Sequence, residues 1–106
     1  MKWKSGRQGT GYYLQYLAQG SNWDFLLIKY PVGSYIVPHN DHFPGKRHFR
    51  LNILLWGEQT FRAHGPVIFQ LGPIVLFRSD TTKHEVLPSK QLRLVLSFGI
   101  VLNPKE

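Results

Sequence analysis

The sequence contains no cysteine. A disulfide framework, a thiolate metal site, an iron–sulfur cluster and a cysteine nucleophile are all excluded, so any metal must be held by histidine or carboxylate. Long apolar runs are missing too. None approaches the roughly 18 to 20 residues of a membrane-spanning helix, and the opening MKWKS does not lead into a hydrophobic signal core. The expectation is a soluble cytoplasmic protein with no membrane partner. Acidic residues are scarce: six Asp and Glu stand against thirteen Lys and Arg, a net charge of +7 that attracts anionic partners without choosing among them. A chain of 106 residues has room for one domain. Its composition, 42% hydrophobic and 14% aromatic, is enough to close a single core.

Strand patterns dominate. Short apolar runs at residues 24–30, 34–37, 47–56, 60–63, 67–71, 74–77, 84–87 and 91–102 are punctuated by Pro31-Val32-Gly33, Gly65-Pro66, Gly72-Pro73 and Ser79-Asp80, which is turn chemistry. Within 47–56, Leu51, Ile53 and Leu55 share one face. Only residues 11–19 could form a helix, of two turns, and their tyrosines suit a strand equally well. About eight strands with little or no helix predict an all-β jelly roll, the double-stranded β-helix, because the edges of so many short strands must be closed. Residues 23–102 are its expected core, and residues 1–22 an N-terminal leader or extra strand.

His39 and Asp41 are separated by one residue, so in an extended chain an imidazole and a carboxylate point to the same side. His84 arrives after the apolar run 74–77 and a turn. Two histidines and one carboxylate, with the opposite coordination positions left open, form the facial triad that holds Fe(II) in non-haem oxygenases. In the last run Gln91, Arg93, Val95, Ser97 and Gly99 alternate with Leu92, Leu94, Leu96 and Phe98. A guanidinium is the preferred fork for a carboxylate, and the hydroxyl on the same face can add a hydrogen bond. Arg93 and Ser97 are thus expected to grip the far end of a dicarboxylate whose near end chelates the metal. His42 points away from His39 in an extended segment, and His48 and His64 read as surface positions.

These residues carry a family resemblance. Through YPVGSYIVPHNDH, RLNILLW, LFRSDTTKHEVLP and LRLVLSFG, residues 23–99 resemble a minimal member of the 2-oxoglutarate and Fe(II)-dependent oxygenase superfamily, similar to prolyl hydroxylases and alkylation-repair demethylases. The superfamily pattern of His-x-Asp, a distal His followed by Val and Pro, then Arg is met by His39, Asp41, His84 with Val86 and Pro88, and Arg93. The resemblance implies Fe(II) on His39, Asp41 and His84, and 2-oxoglutarate as cosubstrate paired with Arg93. The expected reaction hydroxylates or oxidatively demethylates a substrate, with succinate and CO2 as coproducts. It also implies a hydrogen bond from Tyr30 to the cosubstrate, although Tyr30 shares its face with Leu26 and Ile28 and reads equally as core. The chain departs from the family in a short interval between Asp41 and His84, in Gly57-Glu58 where Gly-Gly-Glu is frequent, and in lacking the N-terminal helices that cover the larger sheet.

The substrate class stays open among small molecule, peptide and nucleic acid. Arg47, Arg50, Arg62 and Arg78 flank the site, with Arg50 and Arg78 as candidate substrate contacts. Lys2, Lys4 and Arg7 interleave with Trp3, Tyr12 and Tyr13 in a manner suited to nucleic acid, or equally to an ordinary basic surface. The competing readings are a cupin-like binding or isomerase module, and a degenerate oxygenase fold with a structural role and no turnover. A cupin motif, however, expects a second histidine where Asp41 stands. The leucine-rich back of the last strand needs a cover, supplied either by the first 20 residues or by a second copy in a homodimer.

Overall fold

The computed structural model of the chain describes residues 3–6, 8–41 and 45–102. These residues form ten strands and no helix: β1 (Lys4–Ser5), β2 (Tyr13–Gln19), β3 (Trp23–Tyr30), β4 (Ile36–His39), β5 (Arg47–Trp56), β6 (Phe61–Ala63), β7 (Phe69–Leu71), β8 (Ile74–Arg78), β9 (His84–Val86) and β10 (Arg93–Leu102). Eight correspond to the expected runs. The ambiguous segment 11–19 becomes β2, since its tyrosines and Leu14 find a partner strand in β3.

Two antiparallel sheets face one another in a jelly roll. The larger has the order β1-β2-β3-β10-β5-β8-β7 and the smaller β4-β9-β6. β10 is the central strand, paired over almost its whole length with β3 on one side and β5 on the other. Between the sheets lie Tyr12, Leu26, Ile28, Tyr30, Phe61, Val75, Phe77, Val86 and Val95, all buried. Burying one such side chain contributes about 1.5 to 3 kcal/mol.

The strand period of two sets what each face shows. On β10, Arg93, Val95, Ser97 and Gly99 are buried and face inward, as their alternation predicts. β5 is the neighbour of β10 and shares its faces: opposite Ser97 stands Asn52, and opposite Gly99 stands Arg50. The inner stripe of β5 is therefore His48, Arg50, Asn52 and Leu54, while Leu51 and Ile53 go to the outer face. This corrects the expectation for His48, which is 3% exposed and not a surface residue. Of the two readings left open for the N-terminal segment, its described strands take the edgewise one: β1 pairs with β2 and β2 with β3, lengthening the large sheet without crossing its back.

Candidate metal centre

β4 and β9 are paired so that His39 lies directly opposite His84, and their ring centroids are 4.4 Å apart. Asp41 follows β4 and is tied to the other sheet by its N–H, which donates to the Ser79 carbonyl at 2.8 Å. One donor atom each from His39, Asp41 and His84 falls within 4.8 Å of the others. The three residues that sequence spacing singled out thus lie together.

The protonation pattern fits a metal. His39 Nδ1 is 2.9 Å from the Val37 carbonyl and His84 Nδ1 is 2.8 Å from the Thr82 carbonyl. A carbonyl can only accept, so both Nδ1 atoms carry hydrogen, and it is Nε2 of each ring that a metal would take. His39 Nε2 lies 3.3 Å from Asp41 Oδ1. Burial pushes the His84 pKa below its ordinary value, with the Thr82 carbonyl opposing, so the ring is neutral at pH 7. Phe77 and Phe61 flank that ring at 4.8 and 6.0 Å and fix its plane. For Asp41 burial pulls the pKa up, but the His39 contact, the nearby His84 and a Ser79 hydrogen bond outweigh it and hold the carboxyl at about 2. Two imidazoles and one carboxylate are the donor set of a divalent facial site.

Behind Asp41 runs an ordered chain of donors that the sequence did not reveal. Arg50 Nη2 faces both oxygens of Asp24 at 2.9 and 3.0 Å and His48 Nε2 at 3.4 Å. With Nε2 accepting, His48 Nδ1 is the protonated nitrogen and donates to the Ser79 hydroxyl, whose own hydrogen goes to Asp41. Burial, reinforced by Arg50, lowers the His48 pKa and keeps that ring neutral. Arg50 Nη1 also donates to Ser97 Oγ at 2.7 Å, and Ser97 in turn to Asn52 Oδ1 at 2.6 Å. Gly99 makes this possible: a β-carbon there would stand 2.2 Å from Arg50 Nη2.

A cavity of about 130 Å³ opens on the triad, lined also by Tyr30, Arg50, Asn52, Phe61, Val86 and Ser97. A narrow gap beyond it shares Tyr30, Asn52, Phe61 and Val86 and ends on Arg93. Arg93 is 2% exposed. Its Nε donates to the Glu58 carbonyl at 2.7 Å and its guanidinium stands 4.7 Å from the Tyr30 ring centre, yet Nη1 is buried without a hydrogen-bond partner. Burial lowers the Arg93 pKa, opposed by Tyr30 and Glu58, but arginine keeps its proton at neutral pH. Tyr30 belongs both to the core and to the cavity wall. Burial raises its pKa, so its phenol remains a neutral O–H. On the other side of Asp41 a polar pocket of about 390 Å³ is lined by Tyr16, Asn22, Asp24, His48 and Arg50 among others.

The remaining expectations divide. Ser97 is fully buried at the triad end of the cavity, bound to Arg50 and Asn52. Along the strand it stands about 13 Å from Arg93 at the backbone, nearer the triad. Arg50 lines both cavities, whereas Arg78 points to the outer face, paired with Asp80 and stacked on Phe49. His64 is exposed beside Glu85, as expected. Tyr12 is core, while Trp3 and Tyr13 close on Lys29. His42, Lys2 and Arg7 lie outside the described residues.

No family model matches the chain, and no curated protein is similar to it. Solved structures are. KdgF from Halomonas sp. superposes with a TM-score of 0.71 at 17% identity, over 94% of this chain and 87% of that one. A Pseudomonas putida prolyl-4-hydroxylase gives 0.71 at 19% identity, over 96% and 78%. An RmlC-like cupin from Shewanella frigidimarina gives 0.67 at 16%, over 98% and 86%. The shared feature is the cupin-type double-stranded β-helix; at such identities the likeness is one of fold.

Proposed function

We propose that the chain is an Fe(II)- and 2-oxoglutarate-dependent dioxygenase that hydroxylates or oxidatively demethylates a substrate. The observation that carries this reading is Arg93: a buried guanidinium with an unpartnered Nη1, reached from the triad through a continuous line of cavity residues. A buried cation left without an anion costs several kcal/mol. A dicarboxylate with one end at the triad supplies that anion with the other. The likeness to a prolyl-4-hydroxylase supports the reading, as does an aspartate at position 41 where a cupin motif has histidine.

Fe(II) held by His39, Asp41 and His84 would couple activation of O2 to decarboxylation of 2-oxoglutarate, giving succinate, CO2 and an oxidised substrate. The chain's own part is binding and orientation. Arg93 pairs with the distal carboxylate, and Tyr30 presents its O–H beside it. Asn52 and Ser97, held by Arg50, form the polar wall nearer the triad. Ser79 and His48 orient Asp41 from behind. The polar pocket on the Asp24 side is the approach for substrate, opposite the Arg93 end.

Anaerobic titration tests the reading. Fe(II) with 2-oxoglutarate is expected to give a weak visible charge-transfer band near roughly 500 nm, the signature of a bidentate ligand on an open facial site. Arg93→Ala removes a charge-assisted bond worth about 1.5 to 3 kcal/mol. It should therefore weaken 2-oxoglutarate by about 10- to 150-fold and leave Fe(II) binding nearly unchanged. A metal-binding wild type without the band would be a cupin-like binding module. Equal loss of metal and cosubstrate in the variant would make Arg93 structural.

A further inference from the structure

The outer face of the large sheet is apolar from strand to strand. Phe25 and Leu27 on β3, Leu96 and Phe98 on β10, and Leu51 and Ile53 on β5 stand side by side in the observed register, Phe25 beside Phe98 beside Leu51 and Leu27 beside Leu96 beside Ile53. Ile74 and Leu76 on β8 continue the surface opposite Ile53 and Leu51. No charge interrupts this block. Cations appear only toward its ends, where Arg47 and Arg78 stack on Phe49 and Lys29 sits between Trp3 and Tyr13.

No described segment of the chain covers it. The N-terminal strands, one of the two available covers, are paired edgewise beside β3. Rings at one end of the block touch each other, Trp23 and Phe25 both lying against Phe98 at 6.3 and 6.4 Å, and Phe98 is still 38% exposed.

The extent of the face decides what can occupy it. Three strands of about eight residues and β8 with five, at about 4.8 Å spacing and about 3.4 Å per residue, give roughly 470 Å² in projection and more as accessible surface. Monomers rarely leave so large an apolar block in water. Two such faces together bury about 1,000 to 1,600 Å², which reaches the range of specific interfaces. An apolar sheet face is normally closed by a second sheet about 10 Å away. A copy of the same face is its own complement under two-fold symmetry, with an uncharged centre and basic corners at the rim.

We propose that two copies of the chain pair face to face through the outer surfaces of β3, β10, β5 and β8, leaving both triad cavities on the outside of the dimer. Sedimentation velocity from about 1 to 100 µM should give twice the mass of one chain, and Leu96→Gln should shift the equilibrium toward monomer at unchanged circular dichroism. Because the chain has no cysteine, an introduced one reports without background. Leu96→Cys near the centre of the face should give a disulfide-linked dimer under mild oxidation. Lys83→Cys, exposed beside the small sheet, should not. A protein that is monomeric throughout this range overturns the proposal. So does cross-linking that is equal at both positions, or a monomer that binds anionic vesicles through this face, which would assign it to a membrane surface.

Discussion

Ser79 shows how much a single hydroxyl can carry. It has one hydrogen to give and is fully buried, between a protonated His48 Nδ1 and the Asp41 carboxylate. Its position makes it the group that turns a neutral imidazole and a ligand carboxylate into one oriented unit. Outer partners of this kind typically set metal affinity within a factor of 10 to 100. Ser79→Ala is therefore expected to weaken divalent metal binding by about 10-fold or more in competition with a chelator. The fold is expected to survive, because the backbone bonds of residue 79 to Asp41 and His48 remain. An unchanged metal affinity would reduce Ser79 to a packing residue.

At the scale of elements, the bend after β5 matters more than its two residues suggest. Gly57 has φ of 94°, and a β-carbon on it would lie 2.6 Å from the Leu92 carbonyl and 2.8 Å from Arg93 Cγ. The glycine lets β5 end against the start of β10, and Glu58 beside it offers the carbonyl that fixes Arg93. Gly57→Ala combines backbone strain of about 1 to 3 kcal/mol with a direct push on Arg93. The thermal midpoint should fall by at least about 4 °C, and 2-oxoglutarate affinity should fall with it. A variant with wild-type values for both would contradict this account. The same scale explains what the sequence could and could not disclose. The bounds of β5, residues 47–56, follow from composition and turns. His39, Asp41 and His84 were legible because a period of two and the ends of short strands are local properties. The inward stripe of His48, Arg50 and Asn52 was not, since the facing of β5 is set by its neighbour β10, far along the chain. Once β5 is known to lie beside β10, the polar residues at even positions fall on the same face as Arg93 and Ser97. For the leader, only the pairing with β3 decided between crossing the sheet and extending it.

Taken whole, the molecule is a cupin-type barrel in which three side chains that could hold a metal bridge the two sheets: His39 and His84 belong to the small sheet, while Asp41 is tied to the large one through Ser79. Closing that bridge with a metal must stabilise the native state alone. At a free concentration 100-fold above the dissociation constant the gain is about 2.7 kcal/mol, which for a domain of this size raises the thermal midpoint by about 10 to 20 °C. Scanning fluorimetry should record that rise with Fe(II) under anaerobic conditions. It should be reversed by chelator and missing in His84→Ala. A midpoint indifferent to metal would mean that the three donors are not used as a site. The central place of β10 has one further consequence, for how the molecule comes into being. β3 and β5 have no direct pairing with each other in the described structure; each meets β10, the last of the ten described strands in chain order. Contacts that distant along the chain form slowly. Until β10 has left the ribosome, β1-β2-β3 on one side and β5-β8-β7 on the other have no strand to join them. A nascent chain that stops before residue 93 lacks both the joining strand and the cation that stands beyond the three donors.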